Sequence, residues 1–317
     1  MLLREIYELA IKKGKENDLR GIEEVEKLLA KTKKKYEKMN KEEKQEFDTE
    51  KLTNPYSDTR ILCGDENKEI KTILAGIDME IGEVLLADRL KEKGEPVDLI
   101  LAHHPEGKAL AGLYEVMHLQ EDLLRNLGVP IGVAEGIMTS RIKEVERGLL
   151  PANHNRAVDA AKLLDFAMMC IHTPADNMVT NYLQKMLDET EPETVEDIIK
   201  ELKKIPEYQH ASSINAGPKV VVGSKSRRAG KIFVDMTGGT GGSEDAYSKL
   251  SAAGVSTLVV MHIGEKHRKE AEKNHINVII AGHYASDSLG MNLLLDEIEK
   301  KGVKIIACSG LHRVSRI

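Results

Sequence analysis

Apolar positions in the first fifty residues recur every three or four places. Leu2, Ile6, Leu9 and Ala10 form one stripe, and Ile22, Val25, Leu28 and Leu29 form a second. That spacing predicts amphipathic helices. The stretch Lys31–Lys44 is densely charged and reads as a solvated helix face. From residue 70 the pattern changes to short, continuous apolar runs: Thr72–Ile77, Val97–Ala102, Pro130–Val133, Phe166–Ile171, Val220–Val222, Ile232–Val234, Thr257–Met261, Val278–Ala281 and Val303–Ala307. Helical segments such as Glu83–Lys91, Val158–Leu164 and Leu289–Lys300 lie between them. Strands that are apolar on both faces and alternate with helices predict an α/β protein with mainly parallel sheets flanked by helices.

The segment 188–212 is first acidic and then basic, and Thr194 stands where it can cap a short helix with Asp197 at the third helical position. It reads as a linker. The chain then divides into a helical N-terminal extension (1–55), a first α/β subdomain (56–187), the linker (188–212) and a second α/β subdomain (213–317), with a cleft expected between the subdomains.

Composition narrows the function classes. The 317 residues carry a formal net charge of −6, with no Trp and only 3 Phe. An acidic chain poor in aromatics is not expected to bind nucleic acid. Its cores must be built from aliphatic side chains and Met. The three cysteines, Cys63, Cys170 and Cys308, are far apart and form no CxxC pair, which fits free thiols in a reducing compartment. No apolar leader follows the charged start, and no run of about 18 apolar residues occurs. The expectation is a cytoplasmic protein that does not enter a membrane.

Three of the expected strands end on imidazole and carboxylate. Val97–Ala102 runs into His103, His104 and Pro105. Phe166–Ile171 runs into His172, with Asp176 four residues later. Val278–Ala281 runs through Gly282 into His283, with Asp287 four residues later. Ligands of open α/β sheets sit at the carboxyl ends of strands. Imidazole nitrogen and carboxylate oxygen are the usual ligands of Zn, Fe or Mn ions. A carboxylate can bridge two such ions. If a helix begins near Ser286, Asp287 falls in its first turn, where the helix dipole favours a negative charge.

Other features carry less chemistry. The TGGTGG stretch at 237–242 lacks P-loop and dinucleotide spacing and reads first as a tight turn near the cleft, second as a phosphate cradle. The basic residues of GSKSRRAG (223–230) read as a solvated loop. His262, Glu265 and His267 follow the strand TLVVM and are candidates for an outer shell or an acid/base group.

The segments LILAHHPEG, IHTPADN and INVIIAGHYASD, in that order and at wide spacing, resemble the three motifs of the NIF-three-like dinuclear metal protein family, often described as GTP cyclohydrolase I type 2 homologues. The resemblance spans roughly residues 55–317. It implies two related α/β subdomains facing a cleft, and two divalent metal ions held by His103, His104, Asp176, His283 and Asp287. His172 and Glu265 would line the site and move protons. Asp287 stands where the family usually has Glu. The resemblance also implies a homo-oligomer, a ring-shaped hexamer in many bacterial relatives. Two functions follow. One is a metal-dependent hydrolase or cyclohydrolase acting on a small molecule. The other is a non-catalytic protein that stores, delivers or senses metal, or serves as an interaction scaffold.

Overall fold

A computed structural model describes residues 1–317. The chain opens with three helices, α1 (Leu3–Glu16), α2 (Ile22–Lys38) and α3 (Lys41–Glu46), and a 3-10 turn over Thr49–Leu52. Then come β1 (Arg60–Cys63), β2 (Thr72–Gly76), α4 (Ile81–Glu92), β3 (Leu99–Ala102), α5 (Gly107–Ala111), α6 (Leu113–Val116), α7 (His118–Leu127), α8 (Ile131–Leu149), α9 (Arg156–Leu163), β4 (Ala167–Cys170) and α10 (Thr173–Thr190). The remainder is α11 (Val195–Leu202), α12 (Pro206–Ser213), β5 (Lys219–Val222), β6 (Lys231–Asp235), α13 (Ala246–Ala252), β7 (Val255–Val260), α14 (Glu265–Lys273), β8 (Asn277–Ile280), α15 (His283–Glu299) and β9 (Lys304–Ala307).

Two mainly parallel sheets result, as the hydrophobic pattern predicts. The first has strand order β1-β4-β3-β2-β9 and the second β5-β8-β7-β6. In each, one strand is antiparallel and at an edge: β1 beside β4, and β5 beside β8. The remaining pairings are parallel. The central strands β2, β3 and β4 are buried along their whole length, which requires helices on both faces. The edge strands β5 and β9 each begin on an exposed Lys, Lys219 and Lys304, a charge that discourages pairing with another chain.

The helices α10 and α15 form a shared middle layer. Ala175 and Met178 of α10, with Met291, Leu294 and Leu295 of α15, pack on the first sheet. Val179 and Leu183 of α10, with Ala285 and Leu289 of α15, pack on the second. Helices α4 and α9 cover the outer face of the first sheet. Helices α7, α8 and α13 cover the outer face of the second. No helix is long and apolar enough to cross a membrane.

Four sequence expectations differ from this arrangement. Pro130–Val133 is not a strand. Pro130 immediately precedes α8, Ile131 and Val133 are exposed, and the buried positions Ala134, Met138 and Ile142 repeat at four-residue intervals. A short apolar run does not separate strand from helix, and here the period decides. The segment 188–212, expected as a linker, carries α11 and most of α12, whose Val195, Ile198, Leu202 and Tyr208 are buried in the core of the second sheet. Residues 304–307, placed in the second subdomain by the sequence, pair with β2 and close the first sheet. The N-terminal helix is not an appendage either, because Leu3, Ile6 and Ala10 are fully buried against the first sheet and α15.

The α10–α15 crossing is close. A Cβ on Gly290 would stand 2.4 Å from the carbonyl oxygen of Ala175, a backbone atom that cannot swing away. Gly290→Ala is therefore expected to lower stability by about 1–3 kcal/mol through overpacking. Gly136, inside α8, has open space around its missing Cβ, so Gly136→Ala is expected to raise stability by about 0.5–1 kcal/mol. Denaturant midpoints of the two variants check the opposite signs.

Candidate metal centre

Four strand ends converge on one point between the sheets. The register of β2, β3 and β4 places Gly76, Ala102 and Cys170 side by side, so the residues just beyond them share one edge. These are Asp78, His103 with His104, and His172 with Asp176. From the other sheet, β8 delivers His283 and Asp287 on α15. Pro174 lies in the first turn of α10, where its missing N–H costs nothing. Asp176 lies in that first turn, and Asp287 is the fifth residue of α15. The latter helix starts at His283, not Ser286. Gly282, with φ of +120°, makes the sharp turn that lets the helix begin at once. Asp287 therefore lies beyond the first turn, and imidazoles rather than the helix dipole supply its positive surroundings.

All five expected ligands meet here. His103 Nε2 is 3.4 Å from Asp176 Oδ1 and 3.6 Å from Asp287 Oδ1. His104 Nε2 and His283 Nε2 each lie 3.6 Å from Asp287 Oδ2. These separations exceed a hydrogen bond. They match two ligands of a single cation, which at 2.0–2.1 Å from a tetrahedral ion stand about 3.4 Å apart. Three sets of three ligand atoms, His103/Asp176/Asp287, His104/His283/Asp287 and His103/His104/His172, lie within 4.8 Å of one another. Asp287 links the first two sets through different oxygens.

Hydrogen bonds at the far side of each ring aim Nε2 into the cluster. His103 Nδ1 lies 3.0 Å from the Ile171 carbonyl. A carbonyl only accepts, so Nδ1 carries the proton and Nε2 offers its lone pair. His104 Nδ1 donates to Asp78 Oδ1 at 2.6 Å, and His172 Nδ1 donates to Asp58 Oδ2 at 2.8 Å. Asp58 also accepts from the Thr173 hydroxyl at 2.6 Å. Such partners fix the tautomer and raise ligand basicity.

The electrostatics reflect two carboxylates at low exposure. Asp287 is 1% exposed, yet neither of its oxygens has a hydrogen-bond partner, and His103 Nε2 is equally orphaned. Burial disfavours a charged His103 ring, but Asp287 and Asp176 outweigh it and push the pKa up to about 10. Burial likewise disfavours a charged Asp287, and the neighbouring His103 outweighs it and holds the carboxyl below its ordinary value. His104 moves the other way, lowered by its burial and by the positive His103 and His172 rings. The cluster is thus a negative trap that draws a proton onto His103 when nothing else neutralises it.

His172 is buried at the cluster edge, with Nε2 3.7 Å from Asp176 Oδ2. Glu265 is not brought in. It opens α14 on the surface, pairs with Arg268 at 2.8 Å and does not line the cleft. The helix dipole and a nearby Arg satisfy it there. His262 does line the cleft, and its ring centre is 5.0 Å from that of His283. The TGGTGG turn closes the cleft as expected. The carbonyls of Gly238 and Thr240 accept from Gln120, and that of Gly241 accepts from Arg141. Asp58 and Asp78 escaped the sequence reading. Asp78 follows the end of β2, a signal as good as those at the other strand ends. Asp58 precedes β1, which is antiparallel and so brings its beginning to the edge where its neighbours finish.

No family model and no curated protein matches the chain. Among solved structures it is similar to a NIF3 superfamily protein from Sphaerobacter thermophilus, with 28% identity over 80% of this chain and 92% of that one and a TM-score of 0.71. The chain is NIF3-like. Reduced HcgD from Methanocaldococcus jannaschii shares 18% identity over 78% of this chain and 87% of that one, with a TM-score of 0.48. A Bacillus cereus protein related to NIF3 shares 12% over 82% and 91%, with a TM-score of 0.41. In this NIF3-like chain the imidazoles and carboxylates of the three sequence motifs share a single cleft, in an α/β fold with mainly parallel sheets.

The outer partners give a test that leaves the ligands themselves intact. Asp78 is half-exposed and holds only the His104 ring. Asp78→Ala is expected to weaken Zn²⁺ affinity about 10–100-fold, read by competition with a chelating dye, with little change in the unfolding midpoint.

Proposed function

We propose that this NIF3-like protein binds two divalent metal ions and uses them to hydrolyse a small-molecule substrate. The observation that carries the reading is Asp287. A carboxylate buried to 1% exposure, with both oxygens unpartnered and three imidazole nitrogens 3.6 Å away, is costly unless cations sit between these groups. His103 and Asp176 would hold one ion, His104 and His283 the other, and Asp287 both. Asp is shorter than Glu by one methylene, and here α15 places it close enough for each oxygen to face a different set of imidazoles.

Two such ions supply a water acidified toward neutrality and a positive charge against the substrate. The chain's own residues do the rest. Asp78 and the Ile171 carbonyl keep His104 and His103 in the tautomer that presents Nε2. His172, its Nδ1–H held by Asp58, would accept a proton at Nε2 on the cluster side. His262, held below its ordinary pKa by burial and by His283, borders the same cleft. The cleft encloses about 540 Å³, a size suited to a small molecule. A hydrolytic ring opening of the cyclohydrolase kind and phosphoester hydrolysis are both within reach of this set.

Metal analysis of freshly purified protein, paired with turnover of GTP and of bis(p-nitrophenyl) phosphate, tests the proposal. The expected result is two ions per chain and measurable release of product from one of the two compounds. Asp287→Ala is expected to lose at least one ion and to lower turnover on the order of a hundredfold or more. Turnover that survives in Asp287→Ala, or protein purified without bound metal that takes up none, would overturn the reading.

A further inference from the structure

The cleft extends well beyond the cluster. From His104, Asp176 and Asp287 it runs beneath the second sheet to a wall built from α7, α8 and α13, lined there by Leu123, Leu124, Met138, Phe233 and Leu250. That wall is largely apolar, and Asp235 and Tyr247 open onto it, near Arg141 and His267. Asp235 ends β6 and Tyr247 lies in α13. Neither the Asp235 carboxylate nor the Tyr247 hydroxyl has a hydrogen-bond partner within the protein. The donors that might have served them are committed elsewhere. Gln120 donates to the carbonyls of Gly238 and Thr240, Arg141 to that of Gly241, and His267 to that of Gly242.

The sheet sets how far Asp235 lies from the strand that leads to the cluster. Asp235 pairs with Val260, and Val260 with Ile280. Asp235 thus stands two strands along the carboxyl edge from the strand that delivers His283, about 10 Å at ordinary strand spacing. A carboxylate beside an apolar wall, with no hydrogen bond of its own, gains from a charged or N–H donor brought by a ligand. Burial pushes the Asp235 pKa up to about 6, with His267 drawing it the other way. The group is still charged at neutral pH and is free to pair with a bound donor.

We propose that the substrate is a small molecule with a flat, apolar body and a cationic or N–H-donating end, an amine or amidine, that Asp235 and Tyr247 hold while the other end reaches the His/Asp cluster. The assignment rests on the reading of the cluster as a hydrolytic centre and names the class of compound that it takes. The apolar wall holds the body. Asp235 sets the orientation, because only one end of the ligand can satisfy it.

The probes are 2-naphthylmethylamine and 2-naphthalenemethanol, which differ in charge but little in shape. Because the chain has no Trp, naphthalene fluorescence reads binding over a background from Tyr alone. The wild-type protein is expected to bind the amine about tenfold or more tighter than the alcohol, since a charge-assisted hydrogen bond is at stake. Asp235→Asn keeps the shape and breaks no internal hydrogen bond, and it is expected to remove the preference while leaving alcohol binding unchanged. Equal binding of both probes by the wild-type protein, a preference that persists in Asp235→Asn, or binding of neither compound would overturn the proposal. The wild-type comparison needs no variant and stands whatever the variant's stability. Running it on metal-loaded and chelator-stripped protein separates the two ideas. If the hydrolytic reading fails, metal and turnover are missing while the amine preference remains. If the pocket assignment fails, the preference is missing from metal-loaded, active protein.

Discussion

Two carboxylates face imidazole nitrogens at the junction of two sheets, and their charge must be compensated. Asp176 and Asp287 have almost no access to water, and Asp287 makes no hydrogen bond. In a low-dielectric surrounding an uncompensated carboxylate costs several kcal/mol. The rise of His103 to about pKa 10 is one way to meet that cost, with a proton as the cation. Metal ions are the other, and the ring orientations favour it. Hydrogen bonds on the Nδ1 side of His103, His104 and His172 turn each Nε2 toward the carboxylates.

Much of the remaining architecture serves to bring those two carboxylates together. Each sits on a long helix, α10 or α15, that leaves the carboxyl end of a parallel strand. Each is four residues after a histidine, so His172–Asp176 and His283–Asp287 lie one helical turn apart on the same face. In both sheets that strand is flanked by an antiparallel edge strand, β1 or β5. The two halves therefore repeat one unit, although their sequences show no clear internal repeat. Packing α10 and α15 against each other, with Gly290 against Ala175, sets the separation of the two acids. The N-terminal helix braces the same layer. Asn177, next to Asp176, donates to the Gly14 carbonyl and accepts from the Thr237 hydroxyl at 2.6 Å. One side chain thus ties the extension, the ligand helix and the Gly-rich turn into a single unit.

The cleft combines two kinds of surface. At the cluster it is polar and densely charged. Under the second sheet it is largely apolar, with Asp235, Tyr247, Arg141 and His267 among its polar groups. Such a combination suits recognition of a small molecule better than metal storage, because a storage site has no need of an extended, shaped cavity beside its ligands. The helices α7 and α8 build that wall. They belong to the long excursion between β3 and β4 and cross over to pack on the other half of the molecule.

The sequence alone predicted most of the elements and pointed to the His/Asp cluster. Continuous apolar runs marked eight of the nine strands and missed β1, since Arg60–Cys63 is too polar to stand out; Pro130–Val133 was apolar without being a strand. Histidine and aspartate beyond the strand ends identified the cluster because side-chain type and position after a strand are local properties. Which sheet a strand joins, and which acids stand behind the imidazoles, are not local. The return of β9 to the first sheet, the placement of Asp58 by an antiparallel neighbour and the exile of Glu265 to the surface were decided by the packing of two sheets around α10 and α15. Burial and mutual distance arise only when segments more than a hundred residues apart share one core.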